Sequence, residues 1–429
     1  MRQMKDSGIE WIGKIPEDWA IERMKSLFTE RNERDCKGRT LLSVSQFWGI
    51  RPKSETDIAD SHIAESYDDY KEVYQGDFVM NIMLAWNGSY AVSEYDGMVS
   101  PAYCVFKFRK DCCKKYFHYL LRTNGYPTAF KTMSRGVIDS RLRLYPEQFY
   151  TFPIIIPSID EQQRIADYLD KKCGEIDSLI ALQEQMIEKL KAYKQSVITE
   201  AVTKGLDPNA KLVPSGIDWI GEIPEEWKVL KTLFTLKMPI TDGPHTTPKL
   251  FDNGIPFVSA EAVSCGNGSI DFDHIRGFIS QEFYEECCLK YIPEIDDVYM
   301  IKSGATTGKV SIVDTDKVFT IWSPLAVFRS NRNIIIPRFM FYTLQGDYYQ
   351  KQISLYWTFG TQQNIGMRTL EQLAIVLPPL SEQQTIASYL DEKCADIDRL
   401  IALKQQKIET LKDYKKSVIY EAVTGKTFL

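Results

Sequence analysis

The chain is poor in the residues that build metal and redox sites. Only four histidines occur in 429 residues, and the nine cysteines, from Cys36 to Cys394, include no Cys-x-x-Cys pair, so no zinc spacing is present and no metal is expected. An odd number of cysteines cannot close into a complete disulfide framework, which points to a reduced, cytoplasmic protein. Long apolar runs are missing: nothing approaches the roughly 20 residues of a membrane span, and the opening Met1-Arg2-Gln3-Met4-Lys5-Asp6 is polar. An excess of positive charge is missing too. The 52 basic and 58 acidic residues leave a net −6, which on its face argues against a nucleic-acid partner. The distribution of charge weakens that objection. Residues 20–156 hold 19 basic and 17 acidic side chains, residues 228–377 hold 14 and 15, and the stretch 157–227 between them holds 8 and 14. Acidity is concentrated in a central connector, and the near-neutral segments on either side leave room for local basic patches, with a partner supplying part of any phosphate contact.

Catalytic signatures are equally scarce. There is no Asp-Pro-Pro-Tyr or Asn-Pro-Pro-Tyr for adenine amino methylation, no Rossmann glycine fingerprint, no Gly-x-Ser-x-Gly elbow and no His-Glu-x-x-His helix. Gly304-Ala305-Thr306-Thr307-Gly308-Lys309-Val310 imitates a phosphate loop, but it is one residue short between its glycines and has Val where Ser or Thr should hold magnesium. Neither a catalytic residue nor a cofactor is expected.

What the chain has is duplication. Pro157–Thr203 returns at Pro378–Thr424 with 31 of 47 positions identical and no gap. Asp6-Ser-Gly-Ile-Glu-Trp-Ile-Gly-Lys-Ile-Pro-Glu-Asp-Trp19 returns as Pro214-Ser-Gly-Ile-Asp-Trp-Ile-Gly-Glu-Ile-Pro-Glu-Glu-Trp227. Each copy therefore runs tryptophan block, variable head, long helix. The divisions expected are 1–156, 157–213, 214–377 and 378–429, with head sizes in the ordinary domain range.

Both repeated 47-residue segments carry a heptad stripe, through Leu169, Ile176, Gln183, Leu190 and Val197 in the first and Leu390, Ile397, Lys404, Leu411 and Val418 in the second. Each segment opens after proline, and Asp160 and Ser381 read as N-caps with Gln163 and Gln384 closing a capping box. A helix of about 40 residues spans about 60 Å and needs its stripe covered. An antiparallel pair formed by the two segments does this, giving a pseudo-two-fold repeat with the heads at opposite ends and the chain ends close together. Folding back on the head or pairing with another chain remain alternatives, because heptads alone fix neither partner nor direction.

Both heads read as mixed α/β (α+β), with short strands and no βαβ periodicity. Gly76-Asp77-Phe78-Val79-Met80-Asn81 and Ser100-Pro101-Ala102-Tyr103-Cys104-Val105-Phe106 in the first line up with Asp296-Asp297-Val298-Tyr299-Met300-Ile301-Lys302 and Ser323-Pro324-Leu325-Ala326-Val327-Phe328-Arg329 in the second. The polar loops between them differ. Arg, Asn, Gln and Thr are the side chains that tell base pairs apart in a major groove. The first head offers Arg51, Lys53, Asn81, Trp86, Asn87, Ser89, Arg135, Arg141 and Arg143. The second offers His245, Thr246, Thr247, Lys249, Lys302, Ser303, Thr306, Thr307, Lys309, Gln362, Gln363 and Asn364. Taken singly, each is more often a solvated turn residue, and Trp86 fits a core as well as a contact; their clustering is the stronger signal.

The Trp-Ile-Gly-x-Ile-Pro-x-x-Trp block, the Pro-x-x-x-Glu-Gln-Gln-x-Ile-Ala-x-Tyr-Leu-Asp opening and the Ser-Val-Ile-x-Glu-Ala-Val-Thr ending, each present twice, closely resemble the specificity subunit of type I restriction-modification systems. That resemblance covers essentially the whole chain. It implies that each head is a target-recognition domain reading half of a bipartite, asymmetric sequence in double-stranded DNA, and that the paired helices hold the halves apart. Two methyltransferase subunits and two restriction (motor) subunits would dock on the frame and carry all catalysis. A stand-alone nuclease or methyltransferase, and a coiled-coil scaffold without DNA, are the competing readings.

Overall fold

A computed structural model describes residues 2–34, 38–56, 67–136, 138, 141–359 and 363–429, with Phe359 described by its backbone alone. The chain forms two compact units, residues 1–184 with 406–429, and residues 185–405. Each unit takes one tryptophan block, one head, the first half of its own long helix and the second half of the other's.

In the first unit a four-stranded antiparallel sheet runs in the order Phe28–Arg31, Tyr103–Phe108, Phe78–Asn81, Tyr90–Val92. Alternate residues go to opposite faces. Phe78, Met80, Cys104 and Phe106 join an aromatic core with Phe28 and Phe149, while Val79 and Val105 pack with Leu42, Val44 and Ile50 on the other side. A sheet covered on both faces explains why the inner strand Phe78–Asn81 and the stretch 104–106 of its neighbour are buried without a break. The second unit repeats the arrangement: Thr241–Asp242, Leu325–Phe328, Val298–Ile301, Val310–Ile312, with Val298, Met300, Ala326 and Phe328 facing one core and Tyr299, Ile301, Leu325 and Val327 the other. The strand segments matched by sequence do pair in both heads, but the second segment is one residue out: Tyr103 stands opposite Asn81 and Leu325 opposite Ile301, so Tyr103 is level with Leu325 and not, as the shared Ser-Pro suggests, with Ala326. The turn before the central strand is matched. It needs a left-handed residue, which is Gly76 at φ +90° in one head and Asp296 at φ +75° in the other. The next residue is a buried carboxylate in both: Asp77 accepts from the Tyr74 N–H at 3.0 Å and pairs with Arg31, and Asp297 accepts from the Glu294 N–H at 2.8 Å and pairs with Arg329.

Each head starts and finishes side by side. Ala20–Arg23 pairs antiparallel with Pro153–Ile156, and Lys228–Lys231 with Ala374–Leu377. The chain then enters the long helices, Ile159–Lys204 of 46 residues and Leu380–Val423 of 44. These pack antiparallel, since residue numbers that rise along one fall along the other: Asp177 meets Lys415 in the first unit, and in the second Met186 meets Lys404 and Lys194 meets Asp398. Of the heptad residues, Leu169, Ile176, Val197, Leu390, Ile397 and Val418 are buried, whereas Leu190 and Leu411 are half-buried. One partner helix does not cover the whole stripe. Leu179, Met186 and Tyr193, with Leu400 and Tyr414, stay exposed although each follows a stripe residue by three, the other apolar position of a heptad.

The caps differ from expectation. In the first helix Ser158, two residues upstream of Asp160, accepts from the Glu161 N–H, and in the second the Pro379 carbonyl takes that role, leaving Ser381 inside the first turn. Gln163 and Gln384 turn along the helix to Asp167 and Ser388 instead of back to a cap. The repeated Glu-Gln pair is instead a socket. Glu161 accepts from the indole N–H of buried Trp19 and Glu382 from that of Trp227, each at 2.9 Å. Gln162 accepts from the Cys113 N–H and donates to the Pro157 carbonyl, and Gln383 does the same with the Ile336 N–H and the Pro378 carbonyl. About two turns further on, Asp170 holds Lys115 and Tyr119, and Asp391 holds Arg338 and Tyr342. Identity between the copies thus falls on residues that seat each head on its helix.

Candidate DNA interface

In each head the variable loops hang from the same end of the sheet. In the first, the strand Phe78–Asn81 runs into the loop 82–89. Asn81 is buried and accepts from the Met83 N–H at 2.9 Å; Asn87 accepts from the N–H and hydroxyl of buried Ser89; the Trp86 indole donates to the Met83 carbonyl at 3.1 Å. Asn81 and Ser89, expected from sequence as candidate contacts, are turned inward and shape the loop, because a short polar turn satisfies its own backbone through Asn and Ser. Trp86 is half-buried, with the Lys131 ammonium over its ring at 5.1 Å. Two other segments meet this loop. Leu144 donates its N–H to the Ile82 carbonyl at 3.0 Å, docking the turn in which Arg135 and Arg143 pair backbone to backbone and Arg141 stands exposed. Arg122 donates to the carbonyls of Tyr90 and Gln46, bracing the hairpin Leu42–Ser45 and Gly49–Pro52, on which Arg51 is exposed and Lys53 follows. Phe47, at the tip of that hairpin, is 79% exposed; no sequence signal marked it as a candidate.

The second head uses the same docking bond. Ile365 donates to the Lys302 carbonyl at 2.9 Å, as Leu144 does to Ile82, and Gly304 donates to the Gln363 carbonyl while Ser303 bridges Asn364. The loop 302–309 and the hairpin carrying Gln363 and Asn364 therefore form one surface. Gln362 lies outside the described residues. Thr307 is turned onto the Gly304 carbonyl, Thr306 is half-buried, and Lys309 is exposed beside the Ser264 carbonyl. This loop joins two antiparallel strands, so no helix N-terminus follows it to receive a phosphate. His245, Thr246, Thr247 and Lys249 are exposed on the stretch leaving Thr241–Asp242, with Lys249 over the Phe251 ring. That stretch is tied to the 302 loop through Asp242, whose carboxylate faces Lys302 at 3.3 Å and His245 at 3.1 Å. Burial alone would raise the Asp242 pKa, but Lys290 and Lys302 outweigh it and hold the group below the ordinary carboxylate range. At Asp77 burial prevails over the Tyr74 N–H and Arg31 and pushes the carboxyl up.

Among the described residues no group of His, Cys, Asp and Glu has metal-binding geometry, and no helix is long and apolar enough to cross a membrane. The family described as type I restriction modification DNA specificity domain matches residues 16–192 and again residues 224–413, most of the chain. The chain belongs to this family. Its two specificity domains each comprise a head and the greater part of the helix that follows. The specificity subunit of type I restriction enzyme MjaVIII from Methanocaldococcus jannaschii is 24% identical over 96% of this chain and 94% of its own length. That of EcoBI from Escherichia coli is 23% identical, covering 82% and 74%. Two solved structures share the fold: a chain from work on complex assembly and conformational transition of the type I R-M system (TM-score 0.70, 18% identity, 96% and 99% coverage), and the HsdS subunit from Thermoanaerobacter tengcongensis (TM-score 0.52, 17% identity, 96% and 98%).

Proposed function

We propose that this chain is the non-catalytic specificity subunit of a type I restriction-modification complex, reading a bipartite, asymmetric site in double-stranded DNA with one half-site per head. The observation that carries this is the pairing of like scaffold with unlike loops. The same four-strand order brings loop 82–89 with the paired Arg135 and Arg143, and loop 302–309 with the paired Gln363 and Asn364, to the same place, yet one set carries Arg and the other Thr, Gln and Lys. A fixed scaffold with different readers suits two different half-sites. The antiparallel helices set the separation. Two methyltransferase subunits and two restriction subunits, acting in the cytoplasm, supply the chemistry and part of the phosphate contact, which accords with the −6 net charge.

The test is selection from a random-sequence duplex library with the full chain purified together with its methyltransferase. The expected result is an enriched sequence of two blocks separated by a non-specific spacer, in which exchanging residues 228–377 for another family member's head changes one block only. No enrichment, or a single contiguous block, would overturn the reading.

A further inference from the structure

Asp242 is the most completely hidden acid among the candidate loops of the second head, with 1% of its surface exposed. Three basic side chains from three separate stretches converge on it. Lys290, beyond the helix Gln281–Cys288, hydrogen-bonds Oδ1 and reaches the Gly243 carbonyl at 3.4 Å. Lys302, at the end of Val298–Ile301, places Nζ 3.3 Å from Oδ2, and His245 places Nε2 3.1 Å from the same oxygen. The backbone around this point is fixed as well. Lys302 donates its N–H to the Pro324 carbonyl at 2.7 Å and accepts from Ile365. Gly243 passes so close to Ile321 that a Cβ there would lie 2.0 Å from the Ile321 carbonyl oxygen. Exposure is graded outward from the acid: the side chain of Lys302 is 12% exposed, that of Lys290 48% and that of His245 71%.

A buried ion pair returns little net stability, because desolvation consumes most of the attraction. What it does provide is direction. Every segment with candidate contacts in this head is tethered at or next to the cluster: His245 leads into Thr246, Thr247 and Lys249, and Lys302 leads into the 303–309 loop, which is bridged to Asn364. We infer that Asp242 is a positioning residue for sequence discrimination by the second head, touching no DNA itself but aiming Lys302 and His245 and keeping the lysine charge off indiscriminate phosphates. This rests on the DNA-reading function proposed above.

The expected effect of removing the acid has an unusual sign. Two lysines against one carboxylate leave a local charge of +1, and Asp242→Asn makes it +2. Non-specific attraction to duplex should then increase, with the slope of log affinity against log salt steeper by about one, while discrimination at the second half-site falls at least about tenfold, which is about 1.4 kcal/mol. Lys302→Ala should also lose discrimination but with a shallower slope. The experiment uses the full chain with its methyltransferase, the site found by library selection and a scrambled duplex, titrated over a range of salt, with the first half-site as internal control. Unchanged preference at the second half-site in Asp242→Asn overturns the inference. So does loss of both half-sites with weakened scrambled-duplex binding, which marks a purely structural role. A wild-type protein with no preference anywhere instead removes the underlying function.

Discussion

Removing the Glu161 carboxylate strands the indole N–H of Trp19 in a site only 1% exposed. A buried donor left without a partner costs about 1–3 kcal/mol, so Glu161→Ala should lower the stability of the first unit by that amount, and Glu382→Ala should do the same to the second through Trp227. Chemical denaturation followed by tryptophan fluorescence measures both; an unchanged midpoint would show that the socket carries no weight. His118 supplies a pH dependence. Packed against Tyr119 and beneath the turn at Gly49, it is held by burial, with Arg122 adding repulsion, at a pKa of about 4 against an ordinary 6.5. Below pH 6.5 the unfolded chain binds a proton that the native ring refuses until about pH 4. The first unit therefore loses stability as pH falls through that window and is unaffected above it, by about 2 kcal/mol after allowing for the ring's partial exposure. In His118→Gln the difference between unfolding at pH 7 and pH 4.5 should shrink accordingly. Neither role was legible in the sequence. Glu161 looks like one more acid in a helix's first turn, and the partner that gives it meaning lies 142 residues away.

At the scale of elements, periodicity and repetition carried far. The heptads placed the two helices, and the weakly similar strand segments do pair in both heads, but the shared Ser-Pro put the second strand one residue out, because the alternation of residues between two different cores fixes the register and not the turn before it. What periodicity missed were matters of position. Ser158 and Asp160 are equally good caps by residue type, and only the preceding strand decides which one lies at the helix start. The polar loops were located as clusters, but Asn81 and Ser89 could not be recognised as inward-facing, since Asn and Ser serve turns and bases alike. The antiparallel register makes a ruler experiment specific. Met186 faces Lys404, so inserts must enter between Glu184 and Gln185 and between Gln405 and Gln406 to remain opposite each other. Seven residues at each place preserve the heptad and lengthen the pair by about 10.5 Å, or about three base pairs at about 3.4 Å per step. The selected spacer should grow by about three base pairs with both half-sites unchanged; constant spacing would show that the helices do not set it.

For the molecule as a whole, the two junctions between helix and tryptophan block are equivalent though only one is covalent. In the second unit Val197, Ile198, Ala201 and Val202 pack with Ile220, Ile223 and Trp227, joined to them through residues 205–213. In the first unit Val418, Ala422 and Val423 pack with Ile9, Ile12 and Trp19, held by Tyr420 and Lys426 donating to the Ile12 carbonyl. Linking residue 429 to residue 2 through a short flexible segment and reopening the chain within residues 205–211 should give a protein with an unchanged circular dichroism spectrum and a melting temperature within a few degrees of the original. Aggregation or a large fall would show that the covalent junction matters. The strands Ala20–Arg23 with Pro153–Ile156, and Lys228–Lys231 with Ala374–Leu377, bring the two ends of each head together directly beside the repeated blocks. At the level of the gene, a recombination event inside those repeated stretches would exchange a whole reader while each seam meets the same neighbours as before, so a new target preference can arise in one step without a new fold having to evolve.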